Sequence, residues 1–226
     1  LRQLADEVDL VTFEFESVPA ETVAFLSQFV PVYPSAEALR IARDRLFEKS
    51  MFRDLGIPTP AFADILSQED LDAAVASIGL PAVLKTRTLG YDGKGQRLFR
   101  SPAESREGAF EALGGVPLIL ESLVPFEREI SIIAARDGRG TIACYDPAEN
   151  VHRNGILHTS TLPAGIGEAT ADQARKAARA ILDRLDYVGV IGVEFFVLPD
   201  GGLVANEIAP RVHNSGHWTE AACVVS

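Results

Sequence analysis

VEFFVLPDGGLVANEI, residues 193–208, sets two apolar runs either side of a Pro-Asp-Gly-Gly turn signal, and each run carries one glutamate. If Asp200 and Gly201 make a two-residue hairpin turn, the register is fixed by the turn. Glu194 then lies directly opposite Glu207, and Phe195 opposite Asn206. A three-residue turn would shift the register and break that pairing. Opposed carboxylates repel across a ladder. Two remedies exist: one carboxyl takes up a proton, or a divalent cation bridges the pair. Oxygen ligands suit Mg²⁺, which commonly uses one or two carboxylates together with substrate phosphates. The alternative is a solvent-facing pair screened by salt, against which the apolar surroundings VIGVEFFVL (190–198) weigh.

Outward from this hairpin, the following loop APRVHNSGHW (209–218) collects Arg211, His213, Asn214 and Ser215 beside Pro210 and Gly216. A loop so dense in anion-binding and hydrogen-bonding groups reads as a site, with a hydrogen-bonded structural loop as the alternative. Arg211 can hold a planar carboxylate or bicarbonate through two bonds, and His213 can act as an acid or base near neutral pH. His217 and Trp218 read as packing residues. Far upstream, PAVLKT (81–86) is a strand that leads into LGYDGKGQ (89–96). Glycines let backbone N–H groups turn toward an anion, and Lys85 and Lys94 add charge. The stretch fits neither the GxxxxGK[ST] loop nor GxGxxG between strand and helix. By itself it is equally a hairpin turn with a solvated lysine. A phosphate cradle and a magnesium pair in one chain together suggest a nucleoside triphosphate site. In ESLVPFERE (121–129), strand alternation puts Glu127, Glu129 and Ser131 on one face. Glu127 reads as a solvent-facing charge, whereas Glu129 and His152, in ENVHRNGILH, stay open between ligand and scaffold.

The chain has 226 residues, 47% hydrophobic and 23% charged, enough for a real core in one or two domains. Its 21 basic and 32 acidic side chains give a net charge of −11. That excludes a nonspecific nucleic-acid or anionic-membrane binder, both of which need a positive field. No apolar run approaches the roughly 20 residues of a membrane span. Leu1 to Leu10 alternates charge with apolar residues, unlike a secretory leader. Cys144 and Cys223 have no metal-ligand spacing and read as free thiols in a reducing, cytoplasmic compartment. The chain opens as though inside a helix and is expected to begin within a domain.

Local signals predict a buried strand over LVTFEFESVP (10–19), a helix in PAETVAFLSQF and a short strand at VPVYPS. Ser35 caps a helix running through Arg53, which Asp44 interrupts as a second cap. Ser67 with Asp70 opens another helix, whose face is Leu71, Val75 and Ile78 and which Gly79 ends. Strands are expected at 82–86, 96–99, 117–121, 128–136, 140–146, 155–162, 189–198 and 203–208. A helix starts at Thr170 with Ala174, Ala177, Ile181 and Leu185 inward. Hairpin-linked strands with separate helices define an α+β architecture, preceded by the remnant of an α/β unit.

VTFEFESVP (11–19), DRLFEKSMFRDLGIPTP (44–60), AVLKTRTLGYDGKGQ (82–96), ENVHRNGIL (149–157) and VEFFVLPDGGLVANEIAPRVHNSGHW (193–218) strongly resemble the ATP-grasp family. More closely, they look like its purine-biosynthetic branch, which carboxylates 5-aminoimidazole ribonucleotide. The resemblance implies an ATP-grasp fold: residues 1–43 as the remnant of the N-terminal α/β domain, 44–121 as linker helix and lid, and 122–226 as a C-terminal subdomain cut short. It implies a carbon–nitrogen ligase that uses ATP, Mg²⁺ and bicarbonate on the route to IMP, forms carboxyphosphate, and works as a homodimer. By matching position, Arg45 meets the nucleotide and Lys85 reaches its α- and β-phosphates. Gly90, Tyr91, Asp92, Gly93, Lys94, Gly95 and Gln96 cover the triphosphate. Glu121, Ser122, Leu123 and Val124 read adenine through their backbone, Glu129 binds ribose, and His152 lies at the nucleotide. Glu194 and Glu207 hold magnesium with Asn206 beside them. Tyr91, Arg211, His213 and Asn214 surround bicarbonate and the aminoimidazole, and Glu16 touches the ribonucleotide. Another ATP-grasp ligase, of the formate-using glycinamide ribonucleotide transformylase or biotin carboxylase kind, and a non-catalytic nucleotide-binding module are the rival readings.

Overall fold

The computed structural model describes residues 1–88, 90, 95–153 and 155–225. The chain starts with α1 (Arg2–Asp6) and α2 (Ala20–Leu26). The buried strand expected over 10–19 is absent. One parallel bridge joins Val11 to Val32, and Phe15 is 68% exposed. A strand persists through its ladder, and one rung does not fix the rest of an alternating pattern. Ser35 accepts from the Ala38 N–H at 3.1 Å and opens α3 (Ala36–Ala42). Asp44 opens α4 (Arg45–Asp54), so the second cap splits what periodicity alone would run together. Its carboxylate accepts from the Leu46 N–H at 2.9 Å and also receives Arg87 at 2.6 and 3.0 Å.

A four-stranded antiparallel sheet follows, from β1 (Phe62–Ile65), β2 (Ala82–Thr86), β3 (Gln96–Phe99) and β4 (Leu118–Ser122), in the order β1-β4-β2-β3. β1, only four residues long, carried no recognisable signal. α5 (Gln68–Ile78) and α6 (Ala109–Ala112) cover one face, closing a core of Ile65, Leu71, Leu84, Phe99, Leu118 and Leu120. Ser67 caps α5 through the Asp70 N–H at 3.1 Å, and Gly79, at φ +85°, ends it.

The larger sheet contains β5 (Arg128–Arg136), β6 (Ile142–Cys144), β7 (Ala148–Arg153), β8 (Ile156–Thr161), β9 (Gly189–Val197) and β10 (Leu203–Ala209). All its pairs are antiparallel, in the order β10-β9-β5-β7-β8 with β6 on β5. The α+β expectation therefore holds. α7 (Glu168–Arg184) lays Ala174, Ala178, Ile181 and Leu182 on the sheet, where Met51 and Phe52 of α4 join the same core. A 3₁₀ turn (Asn214–Gly216) and α8 (Trp218–Ala222) complete the described chain. Among the described residues no helix is long and apolar enough to cross a membrane, and both cysteines are free.

The β9–β10 hairpin differs from its predicted register. Leu198 and Gly202 still pair, with Gly201 at φ +81°, so the turn has three residues and Phe195 faces Ala205, not Asn206. A β-bulge between Ala205 and Glu207 then takes Asn206 out of step and restores Glu194 opposite Glu207. Two departures cancel.

Replacing Asp44 by Ala removes a cap and the main partner of Arg87, so the unfolding free energy should fall by about 1–2 kcal/mol in urea titrations. An unchanged midpoint and slope would show that α4 needs no cap.

Candidate active site

Lys85 lies in the middle of the smaller sheet, where β2 is flanked by β3 and β4. Its Nζ donates to Glu121 Oε2 at 2.9 Å. The same oxygen lies 4.0 Å from Nζ of Lys49, a fully buried residue of α4. Burial pushes the Glu121 carboxyl up, but Lys49 and Lys85 outweigh it, and the group sits below the usual carboxylate range. Burial pulls the Lys85 ammonium down, with Glu121 opposing. The Glu121 side chain is thus committed inward. In the same linker the Ser122 and Leu123 N–H groups bond the carbonyls of Ala61 and Pro81 at 2.8 and 3.0 Å.

Across from this centre, β9 and β10 bring Glu194 and Glu207 opposite each other. Glu194 is 8% exposed. Burial, then the Glu207 charge, push its carboxyl up to about 8. Asn206 Nδ2 donates to Glu194 Oε2 at 3.4 Å, and Arg45 Nη1 approaches Glu207 Oε2 at 3.5 Å. A buried acid held protonated by a facing acid is what a cation between them would relieve. No group of three or more His, Cys, Asp or Glu gathers at a metal-binding spacing among the described residues. Two carboxylates by themselves would supply only part of a coordination shell, as in magnesium sites completed by phosphate oxygens.

The open assignments gather at this end of the sheet. His152 Nδ1 lies 2.7 Å from Glu129 Oε2, and that carboxylate raises the imidazole. His213 lies against Gly192, where a Cβ would come within 2.8 Å of the His213 Cβ, so only glycine admits the ring. His213 Nδ1 is 2.8 Å from Ser215 Oγ and Nε2 is 3.6 Å from Glu194 Oε1. Burial lowers His213 to about 4. The imidazole is therefore neutral at pH 7, the form that can accept a proton. Arg211 grips Glu16 through two bonds of 2.8 and 3.2 Å. Asn214 opens the 3₁₀ turn and lines a groove with His158 and Trp218. A Cβ at Gly90 would come within 3.2 Å of Arg45 Nη2, and one at Gly95, already at φ +70°, within 2.9 Å of Thr86 Oγ1. Gln96 begins β3. Tyr91, Asp92, Gly93 and Lys94 lie outside the described residues. Sequence reasoning missed Glu48 and Lys49, because adjacent charges on a helix read as a solvated face.

The ATP-grasp domain matches residues 50–226, and the ribonucleotide synthetase preATP-grasp domain matches residues 1–43. The chain belongs to the ATP-grasp family. It is 67% identical over 219 residues to the N5-carboxyaminoimidazole ribonucleotide synthase of Pseudomonas aeruginosa, covering 97% of this chain and 60% of that protein. It is 52% identical to the enzyme of the same name from Brucella melitensis, covering 100% and 63%. Among solved structures, an ADP complex of N5-carboxyaminoimidazole ribonucleotide synthetase superposes with a TM-score of 0.94 at 39% identity, over 100% of this chain and 59% of that one. The Aspergillus clavatus synthase with ADP and 5-aminoimidazole ribonucleotide gives 0.87 at 30% identity, over 100% and 59%. The chain thus spans about three fifths of the length of these relatives.

Glu48 and Glu194 are both pushed up to about 8 from an ordinary 4.5. The folded protein then holds protons that the unfolded chain has lost. The stability that these two groups contribute should be fully present below about pH 4.5 and be lost as pH rises toward about 8, as urea unfolding at several pH values would show. Glu48→Gln should flatten that slope, and a profile unaltered by it would place Glu48 outside the titration.

Proposed function

We propose that the full-length protein joins bicarbonate to 5-aminoimidazole ribonucleotide with ATP, giving N5-carboxyaminoimidazole ribonucleotide, ADP and phosphate. The observation that carries this reading is the Glu194–Glu207 pair, beside which the Asn206 carbonyl receives Lys49, itself 4.0 Å from the Glu121 oxygen that receives Lys85. The names of the relatives supply the substrate class.

In this scheme Lys85 and Arg45 hold phosphate oxygens, and the segment from Gly90 to Gln96 covers the triphosphate. The backbone of Glu121 to Val124 takes adenine, Glu129 takes ribose, and His152 steadies Glu129. Glu194 and Glu207, with Asn206 beside them, would hold Mg²⁺, which offsets phosphate charge when bound. Arg211, His213, Asn214, Tyr91 and Glu16 surround bicarbonate and the aminoimidazole.

A bicarbonate oxygen attacks the γ-phosphorus, and the P–O bond electrons leave with ADP, producing carboxyphosphate. Lys85 and Arg45 work by position and charge, since the phosphoryl transfer needs little covalent help. The exocyclic amine then adds to the carboxyl carbon, either in carboxyphosphate or in CO₂ released from it. Phosphate leaves and the amine gives up a proton. His213, neutral and close to Glu194, is the base this scheme assigns. Exclusion of water protects the intermediate. A cytoplasmic homodimer is the expected working form.

Phosphate release by the full-length protein should require both 5-aminoimidazole ribonucleotide and bicarbonate, and neither glycinamide ribonucleotide nor biotin should replace the former. Lys85→Met should lower that rate about 100-fold or more. Release that ignores the aminoimidazole would discard the substrate assignment. His213→Asn with undiminished carboxylation and intact ATP binding would remove the base.

A further inference from the structure

α4 carries two consecutive charged side chains, Glu48 and Lys49, that are 2% and 0% exposed. Charges are rarely buried so completely without a task. Both reach the free edge of β10, on either side of Glu207. Lys49 Nζ donates to the Asn206 carbonyl, and Glu48 Oε1 accepts from the Ile208 N–H at 2.7 Å. Three residues before Ile208, the Ala205 N–H bonds the Pro58 carbonyl at 2.7 Å, just past the same helix.

Along a regular strand, every second residue turns its N–H outward. Here Ala205 and Ile208 do so, three positions apart, because the bulge at Asn206 changes the parity between them. Without that bulge the three-residue turn would set Asn206 opposite Glu194 and Glu207 opposite Val193. A slip of one position sends a side chain to the other face of a sheet. Glu207 would then be lost from the pair. The bulge leaves an edge carbonyl and an edge N–H out of step with the strand, and α4 meets each with a side chain of the right kind.

We propose that Glu48 and Lys49 are positioning residues that hold the Asn206 bulge and thereby keep Glu207 opposite Glu194. Lys49 also ties this strand to the phosphate-side lysine, since its ammonium lies 4.0 Å from the Glu121 oxygen that receives Lys85. The proposal rests on the magnesium–nucleotide reading of the pair. Glu48 acts as an acceptor, not as a charge: burial pushes its carboxyl up to about 8, so at neutral pH it is an uncharged acid and Gln is its near-isostere.

The test uses the full-length protein, with Mn²⁺ as the spectroscopic stand-in for Mg²⁺. Mn²⁺ binding in the presence of ADP is followed by electron paramagnetic resonance, and ADP binding without metal by calorimetry. Lys49→Met should weaken Mn²⁺ about tenfold or more, the loss typical when a group supporting a metal ligand is removed. Metal-free ADP affinity, scaled to the folded fraction, should change far less. Lys49→Arg should recover much of the Mn²⁺ affinity. Mn²⁺ affinity within about twofold of the parent in Lys49→Met overturns the proposal, as does an equal loss of metal-free ADP binding. Should Lys49→Met fail to fold, Glu48→Leu carries the test, because it loses the acceptor for the Ile208 N–H. It should weaken Mn²⁺ about tenfold while Glu48→Gln stays within about twofold of the parent, and parental affinity in Glu48→Leu overturns the proposal. A parent that binds no Mn²⁺ with ADP sinks the underlying reading before any variant is made.

Discussion

Two carboxylates set opposite each other in a sheet cannot both remain ionised, buried and unpartnered. The β9–β10 hairpin sets the buried Glu194 against Glu207, whose side chain is 41% exposed, and much of the structure around them reads as accommodation. Asn206 donates to one acid and Arg45 approaches the other. Protonation of Glu194, which burial and the facing Glu207 push up to about 8, removes the repulsion. The core on the other face of these strands is built from Ile132, Ile191, Val193 and Phe195.

The two sheets meet at this point through charge more than through apolar contact. Glu121 leaves the smaller sheet already neutralised by Lys85, and Lys49 connects the same carboxylate to the backbone of the larger one. At low exposure such a chain is costly to break, because removing one member leaves another buried without a partner. α4 is thus both a packed helix, through Met51 and Phe52, and the junction between the phosphate side and the acid pair.

Much of this was legible in the sequence because its causes are local. Ser35, Asp44 and Ser67 cap helices by hydrogen bonds within three residues, and the strands 82–86, 96–99 and 128–136 keep their boundaries. The opposition of Glu194 and Glu207 was found by a shorter turn than the real one; the bulge corrected the count. That bulge answers to a helix some 150 residues earlier in the chain, so no pattern near the hairpin announces it. Glu48 and Lys49 escaped notice for the same reason, since the adjacent pair looks like a wet surface until β10 covers it. LVTFEFESVP had the composition of a strand, but one rung joins it to Val32.

Arg211 presents its guanidinium with Nε and Nη2 on Glu16 and Nη1 on the Val212 carbonyl. Its fork is already filled by a carboxylate of the same chain. An incoming planar anion would meet a competitor fixed in the same geometry, so its binding there would have to displace Glu16. Glu16 remains partly open to water. An exposed pair of this kind holds on the order of 1 kcal/mol, little enough for the resident to yield and enough to turn away a guest that fits less well.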